Sequence, residues 1–234
     1  MNLIDKMKNP NWWKRTSVVT YIFIALNLLI YFLMIIIWGT TESSRVLLHA
    51  GAMFRPIIIQ YNQWWRLFTA GFIHIGIEHL LMNLLSLYFV GMELERITGH
   101  WRFLCIYLLS IVGGNTLSFA LSSSSVVSAG ASTGIFGLFA AYVVLAKLYP
   151  LSSYLQERGK TFSMLIIANI VLNLFSGTID MWGHIGGAVF GALATLMIGI
   201  PKSGKQNLVR RLQIITVVII LFVLLIFIGI NRTI

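Results

Sequence analysis

The sequence predicts an all-α polytopic membrane protein with seven apolar helices, and three observations predict it. Hydrophobic residues fill 58% of the 234 positions and charged residues only 10%, outside the usual composition of a soluble domain. Asp, Glu, Lys and Arg are absent from windows 16–41, 103–146, 161–179, 181–201 and 212–231. A helix needs roughly 20 apolar residues to cross a hydrocarbon core about 30 Å thick, and these windows supply them. Threading the helices with the N-terminus inside then puts most basic residues on the inner side. Lys6, Lys8, Lys14, Arg15, Arg96, Arg102, Lys147, Arg158, Lys160, Lys202, Lys205, Arg210 and Arg211 lie inside, against Arg45, Arg55, Arg66 and Arg232 outside. That asymmetry is the positive-inside pattern. The net charge of +10 therefore sets topology and meets anionic lipid heads, and nucleic acid is not an expected partner.

The first helix is expected near 17–38. Its apolar segment is too long for a signal-peptide core and no small-x-small cleavage site follows, so it reads as a retained span. Trp12 and Trp13, beside Lys14 and Arg15, read as its anchor at the inner interface. The longest connection, 39–73, is an outer loop carrying "NQWWRLFTAGFIH". It reads either as an interfacial aromatic belt or as a structure lying partly in the outer leaflet. A second helix near 75–92 is interrupted only by Glu78. The 44-residue window 103–146 splits at "SSSSVVSAG" into helices near 102–121 and 132–149. Cys105 is alone, so no intramolecular disulfide forms, and a core-facing small side chain is expected. Further helices follow near 161–177 and 183–200, the latter stopping at Gly199 ahead of Pro201. The last, near 213–230, is almost pure Ile, Leu, Val and Phe and reads as a lipid-facing appendage. Organisation follows directly: a segment 1–17 in the cytoplasm, a membrane core 18–200, and an inner loop with the extra helix over 201–234. The C-terminus is expected outside. No internal repeat of the transporter kind occurs, and nothing in the sequence fixes an oligomeric state.

Ionisable and amide side chains inside spans are costly and mark function. Here they are His74, Glu78, His79, Asn83, Asn115, Asn169, Asn173 and His184. From His79 to Glu93, from Ser132 to Lys147 and from His184 to Gly199 the chain climbs about 21–22 Å at 1.5 Å per residue. In a core of about 30 Å, three separate helices thus carry a serine and two histidines to one depth, roughly 8 Å below the outer face. His79 and Asn83, four apart, share a helical face. Gly183, Gly187 and Gly191 recur every four residues around His184 and permit close backbone approach in a membrane. Gly130, Gly134 and Gly137 offer a comparable patch around Ser132.

This constellation suits acyl transfer. His184 takes the proton of Ser132 as general base, and Ser132 attacks a peptide carbonyl. The side chains of Asn83 and His79, with the Ser132 N–H, stabilise the oxyanion. Phe136, one turn beyond Ser132, is placed to pack on the His184 ring. Asp180, four residues before His184, belongs to "SGTIDMWG", whose Gly177 and Gly183 read as a turn, so a Ser-His dyad is expected rather than a triad. A zinc hydrolase on His74, His79, His184 and Asp180 is the competing chemistry. It lacks the H-E-x-x-H pair, and neither a metal nor any other cofactor is expected.

With these residues in order, the chain resembles the rhomboid intramembrane serine proteases over nearly all of 18–200. "HIGIEHLLMN" carries the family's H-x4-H-x3-N spacing at His74, His79 and Asn83. "GAST" matches its G-x-S motif at Ser132, and "GHIGG" matches the base at His184. "WWR" resembles the Trp-Arg pair of the first outer loop, at Trp65 and Arg66, and "GMELER" resembles the end of helix two, with Glu95 structural. The resemblance implies a six-helix rhomboid-like core with one extra C-terminal helix. It also implies transmembrane protein substrates of single span, cut near the outer end of the span, and a place in a bacterial cell membrane. One residue departs: many members carry Gly after the serine, where this chain has Thr133. The serine's own N–H is untouched, so activity is expected to survive. A catalytically silent relative that only binds membrane helices is the other alternative, and intact Ser132 and His184 argue against it.

Overall fold

Within the computed structural model, residues 16–176, 180–198 and 208–232 are described. The Trp12–Trp13 anchor, the Gly177 side of the turn before Asp180, and the helix stop at Gly199 and Pro201 lie outside them. The first apolar run forms α1 (Val18–Trp38), which closes on Gly39 in the left-handed region, where glycine carries no Cβ penalty. The outer loop then folds into short helices α2 (Ser44–Ala50), α3 (Arg55–Tyr61) and α4 (Arg66–Thr69), followed by a 3₁₀ turn at Ala70–Phe72. Next come α5 (Gly76–Ser86), a π-helical turn at Leu87–Gly91 and α6 (Met92–Thr98), which together make one continuous segment. The chain continues through α7 (His100–Leu121), α8 (Ser132–Leu148), α9 (Ser153–Ser176), α10 (Met181–Ile198) and α11 (Leu208–Asn231). Among the described residues no strand forms, and an isolated bridge pairs Met53 with Ser128.

The protein is thus an all-α polytopic membrane protein. Among the described residues, five helices are long and apolar enough to cross a bilayer: α1, the Gly76–Thr98 segment, α7, α10 and α11. The 17-residue α8 is apolar but shorter, and α9 carries Glu157, Arg158 and Lys160 in its first turns.

Three helices run past the expected boundaries, each where charged residues end the apolar pattern without ending the helix. The second continues to Thr98 because its charges are absorbed internally. Glu95 is buried, and its carboxylate accepts the Val19 and Thr20 N–H groups at 2.9 and 2.8 Å, the Thr20 hydroxyl at 2.6 Å, and a contact from His100. A carboxylate on the orphan donors of a helix N-terminus meets the positive end of the helix dipole. Glu95 is structural, as expected. Glu93 accepts from the Tyr142 hydroxyl at 2.6 Å and Arg158 Nη2 at 2.8 Å, locking α6 to α8 and α9. The fifth and seventh helices likewise begin earlier than expected, at Ser153 and Leu208.

The last helix corrects the sequence reading. Its outer face, with Ile219, Ile220, Val223 and Phe227, is exposed, but Val218 and Leu225 are buried against Phe190 and Ala120. Gly229 abuts Phe119, and Phe222 sits 4.6 Å from the Phe190 ring of α10. Arg232 Nη1 donates to the carbonyls of Ala120 and Ser122 at 3.3 and 3.1 Å, capping α7. The helix is a brace rather than an appendage. Cys105 is exposed rather than core-facing, because its side of α7 is unpacked.

A Cβ at Gly229 would lie 2.1 Å from Phe119 Cε1, and Phe119 is fully buried. Gly229→Ala should therefore overpack the contact, cost about 1–3 kcal/mol, and lower the thermal midpoint in detergent. Ile219→Ala, on the exposed face, should leave that midpoint within error.

Candidate active site

The loop that leads into α8 is assembled by the outer loop. Ser128 exchanges both backbone hydrogen bonds with Met53 at 2.9 Å, and the Gly130 N–H donates to the Ala70 carbonyl at 2.9 Å. The Ala131 N–H donates to Nε2 of the fully buried His74 at 3.3 Å. Buried backbone donors need such partners. Arg66 secures the outer loop in turn, through Leu48 O at 2.8 Å, Ala52 O at 2.9 Å and Gln63 Oε1 at 2.7 Å, with its guanidinium over the Trp65 ring. Burial pulls the Arg66 pKa below the ordinary arginine value. Of the two readings of the outer loop, an aromatic belt alone is too little: it is a folded scaffold.

Gly130 holds φ +128°, a conformation L side chains rarely adopt. A Cβ there would fall 2.6 Å from His79 Cε1, 2.8 Å from His79 Nε2 and 3.6 Å from Ser132 Oγ. The missing side chain lets the His79 imidazole lie against the serine loop. Ile75 N–H donates to His79 Nδ1 at 3.4 Å, which leaves Nε2 as the protonated nitrogen of a neutral ring. Asn83, buried one turn along, donates to the His79 carbonyl at 2.8 Å. A primary amide has two protons, and this bond takes one.

Ser132 opens α8 and His184 lies in the first turn of α10. Their side chains meet, with His184 Nε2 2.9 Å from Ser132 Oγ. Phe136 stacks on the imidazole at 4.2 Å with 9° between planes. The meeting depends on glycine. A Cβ on Gly187 would lie 2.1 Å from the Thr133 carbonyl oxygen, and one on Gly191 would lie 2.3 Å from Gly137 Cα. The patch around Ser132 divides its work: Gly137 faces Gly191 and Ser110, Gly134 faces Tyr107, and Gly130 faces His79. Thr133 is buried in the space left by Gly114, Gly183 and Gly187, so this helix pairing has room for a threonine after the serine.

Other polar residues separate cleanly. Asp180 Oδ1 accepts the Gly183 N–H at 3.0 Å and the Ser122 hydroxyl at 3.1 Å, a capping arrangement at the head of α10. Asn115 donates to the Leu67 carbonyl at 2.9 Å and ties α7 to α4. Glu78 is exposed. Among the described residues no three His, Cys, Asp or Glu side chains gather to hold a metal ion. The sequence reading left the imidazole oriented by packing alone, and there it missed a partner. Asn169 Oδ1 lies 2.9 Å from His184 Nδ1 and 2.9 Å from Asn173 Nδ2. The available signal was two asparagines four apart in a charge-free window.

A family model for the rhomboid domain matches residues 61–201. The chain is 40% identical over 185 residues to Rhomboid protease GluP of Bacillus subtilis (strain 168), covering 79% of this chain and 36% of that protein. It is 35% identical over 171 residues to RHOMBOID-like protein 6, mitochondrial, of Arabidopsis thaliana, covering 70% and 54%. RHOMBOID-like protein 1 of the same plant is 36% identical over 170 residues, covering 70% and 42%. The chain spans about a third to a half of the length of these relatives.

The Asp180 geometry makes a stability prediction. Asp180→Asn keeps an oxygen for the Gly183 N–H and should hold the thermal midpoint in detergent. Asp180→Ala removes the cap and should cost about 1 kcal/mol. Equal loss in both variants would mean that the charge, and not the cap, is what matters.

Proposed function

The chain belongs to the rhomboid family, and on that footing we propose that it is an intramembrane serine endopeptidase working with a Ser132–His184 dyad. Its core is residues 18–200, with α8 and α9 also crossing the bilayer, the N-terminus in the cytoplasm of a bacterial cell and the C-terminus outside. Its substrates are membrane proteins cut near the outer end of a single span. The observation that carries the reading is the 2.9 Å contact of His184 Nε2 with Ser132 Oγ in a buried setting.

The steps follow from the chemistry of the two groups. Ser132 Oγ adds to the scissile carbonyl as its proton passes to His184 Nε2. Negative charge develops on the carbonyl oxygen, where the Ser132 N–H, His79 Nε2–H and the second Asn83 amide proton are suited to receive it. His184 returns the proton to the leaving amine as the C–N bond breaks. Water then adds to the Ser132 ester with His184 again as base, and as the C–Oγ bond breaks His184 returns that proton to Ser132 Oγ and the acid is released. The start of α8 supports this chemistry, since free N–H groups and the positive end of the helix dipole sit beside the nucleophile.

Ser132→Ala should abolish cleavage of a transmembrane reporter. His184→Ala should abolish both cleavage and labelling of Ser132 by a fluorophosphonate. Groups acting as one unit are non-additive, so the double variant should be no worse than either single one. Persistent labelling at Ser132 without His184 would break the dyad.

Asn83→Ala should lower kcat by roughly 10²-fold while the protein still folds and labels slowly. An unchanged kcat in folded, purified protein would remove Asn83 from the oxyanion site.

A further inference from the structure

Stacking on Phe136 holds the plane of the His184 ring, but it cannot choose between the two ring nitrogens. A half-turn about the ring's bond to the chain would keep the stack and swap the edges. Only a group hydrogen-bonded at the far edge can decide which nitrogen carries the proton, and for general-base work Nε2 must arrive bare at Ser132. Asp180 is not that group: its Oδ1 is taken by Gly183 and Ser122, its Oδ2 has no hydrogen-bond partner, and the contact at His184 Nδ1 is made by Asn169.

We propose that Asn169 is the positioning residue for His184: its amide oxygen accepts the Nδ1–H and so turns the Nε2 lone pair toward Ser132. This rests on the dyad reading above. The Asn169 Oδ1 to Nδ1 distance is 2.9 Å, matching the 2.9 Å from Nε2 to Ser132 Oγ at the other edge. Asn169 is itself oriented. Asn173, buried one turn further along α9, donates its amide N–H to the same Oδ1 at 2.9 Å. With the Asn173 N–H bonded to Oδ1, turning the Asn169 amide alone would set its N–H₂ against that of Asn173, which favours the oxygen toward the histidine. Serine, histidine and asparagine thus form one chain across α8, α10 and α9.

An amide suits this place. It accepts the Nδ1–H without bringing a second buried charge into a membrane span, where an unpaired carboxylate is costly. It also gives the imidazolium less electrostatic help than a carboxylate would. Loss of Asn169 should therefore cost less than the 10⁴-fold or so that follows a tautomer error in a Ser-His-Asp triad.

The test uses the full chain in detergent micelles, with ¹⁵N-labelled histidine and His184 assigned by comparison with His184→Gln. In the parent protein at neutral pH, His184 should show a protonated Nδ1 and an unprotonated Nε2. Asn169→Leu, close in size and compatible with a lipid-adjacent helix, should mix the tautomers and lower kcat by about 10- to 100-fold with KM unchanged. Asn169→Gln keeps a neutral amide oxygen as acceptor and should restore the tautomer and part of kcat. Wild-type tautomer and kcat in folded Asn169→Leu would overturn the proposal. A folded Asn169→Gln variant with the tautomers mixed as in Asn169→Leu would do so too. The tautomer is read without activity, so it separates this inference from the dyad. Cleavage surviving in Ser132→Ala would sink the dyad and leave the NMR result standing on its own.

Discussion

The site depends on one contact, the approach of α10 to α8 at glycine distance. With the Gly187 Cβ position 2.1 Å from the Thr133 carbonyl and that of Gly191 2.3 Å from Gly137 Cα, no side chain fits between the two backbones. Lipid tails are as apolar as leucine, so helices in a bilayer gain little from hydrophobic burial against one another. Close van der Waals packing through small residues takes over that role. The same approach sets the Ser132–His184 contact, because an imidazole on one helix meets a serine on the other only if the axes are this near. Helix packing and that contact are here the same geometric fact.

A second constraint follows from the first. Ser132 stands at the start of a helix, so the chain before it is irregular, and irregular backbone at membrane depth is tolerated only when its polar groups are paired inside the protein. The outer loop supplies the partners: Met53 for Ser128, Ala70 for Gly130 and His74 for Ala131. His74 and His79 thus divide one sequence motif into two tasks. The first holds the loop from behind through Nε2, and the second presents its ring to the loop's outer side over Gly130. At the opposite end of the bundle, Glu95 and Glu93 do analogous work for α1 and α9. The buried Glu95 carboxylate is matched to helix N–H groups and a hydroxyl, and the half-buried Glu93 carboxylate to the Tyr142 hydroxyl and Arg158.

Much of this was legible in the residues, and the parts that were not share a cause. Charge-free runs locate the spans, because the cost of charge in hydrocarbon is large. The spacing of Ser132, His79 and His184 points to one group of residues, and their side chains do gather, with His184 Nε2 2.9 Å from Ser132 Oγ and the His79 ring against Gly130. Phe136 beside His184 follows from the α-helical turn. What escaped is what lies between elements. The extension of the second helix to Thr98 depends on Glu95 finding the N-terminus of α1, some 75 positions away in sequence. The brace of α11 depends on Gly229 meeting Phe119, and an apolar pattern alone cannot tell a helix packed on one side from one bathed in lipid. Asn169 stood among the polar residues out of place, but its partner lies on another helix whose rotation no local pattern sets.

The placement of Asn169 and Asp180 also bears on why the carboxylate sits where it does. Both are near His184 in the chain or in space, and either could in principle face its Nδ1. A carboxylate at that position would need its second oxygen satisfied at membrane depth, and no Lys or Arg lies in α8 above Lys147 or in α10. At the head of α10 the same group finds a helix N–H, a serine hydroxyl and the favourable end of a dipole, all of which stabilise its charge. The amide carries the opposite balance: it is a weaker cap but a cheap acceptor in a dry bundle, especially with a second amide one turn away to hold it. On the proposed mechanism, an amide rather than a carboxylate as the orienting group suits the low dielectric of the bilayer as much as the needs of the reaction.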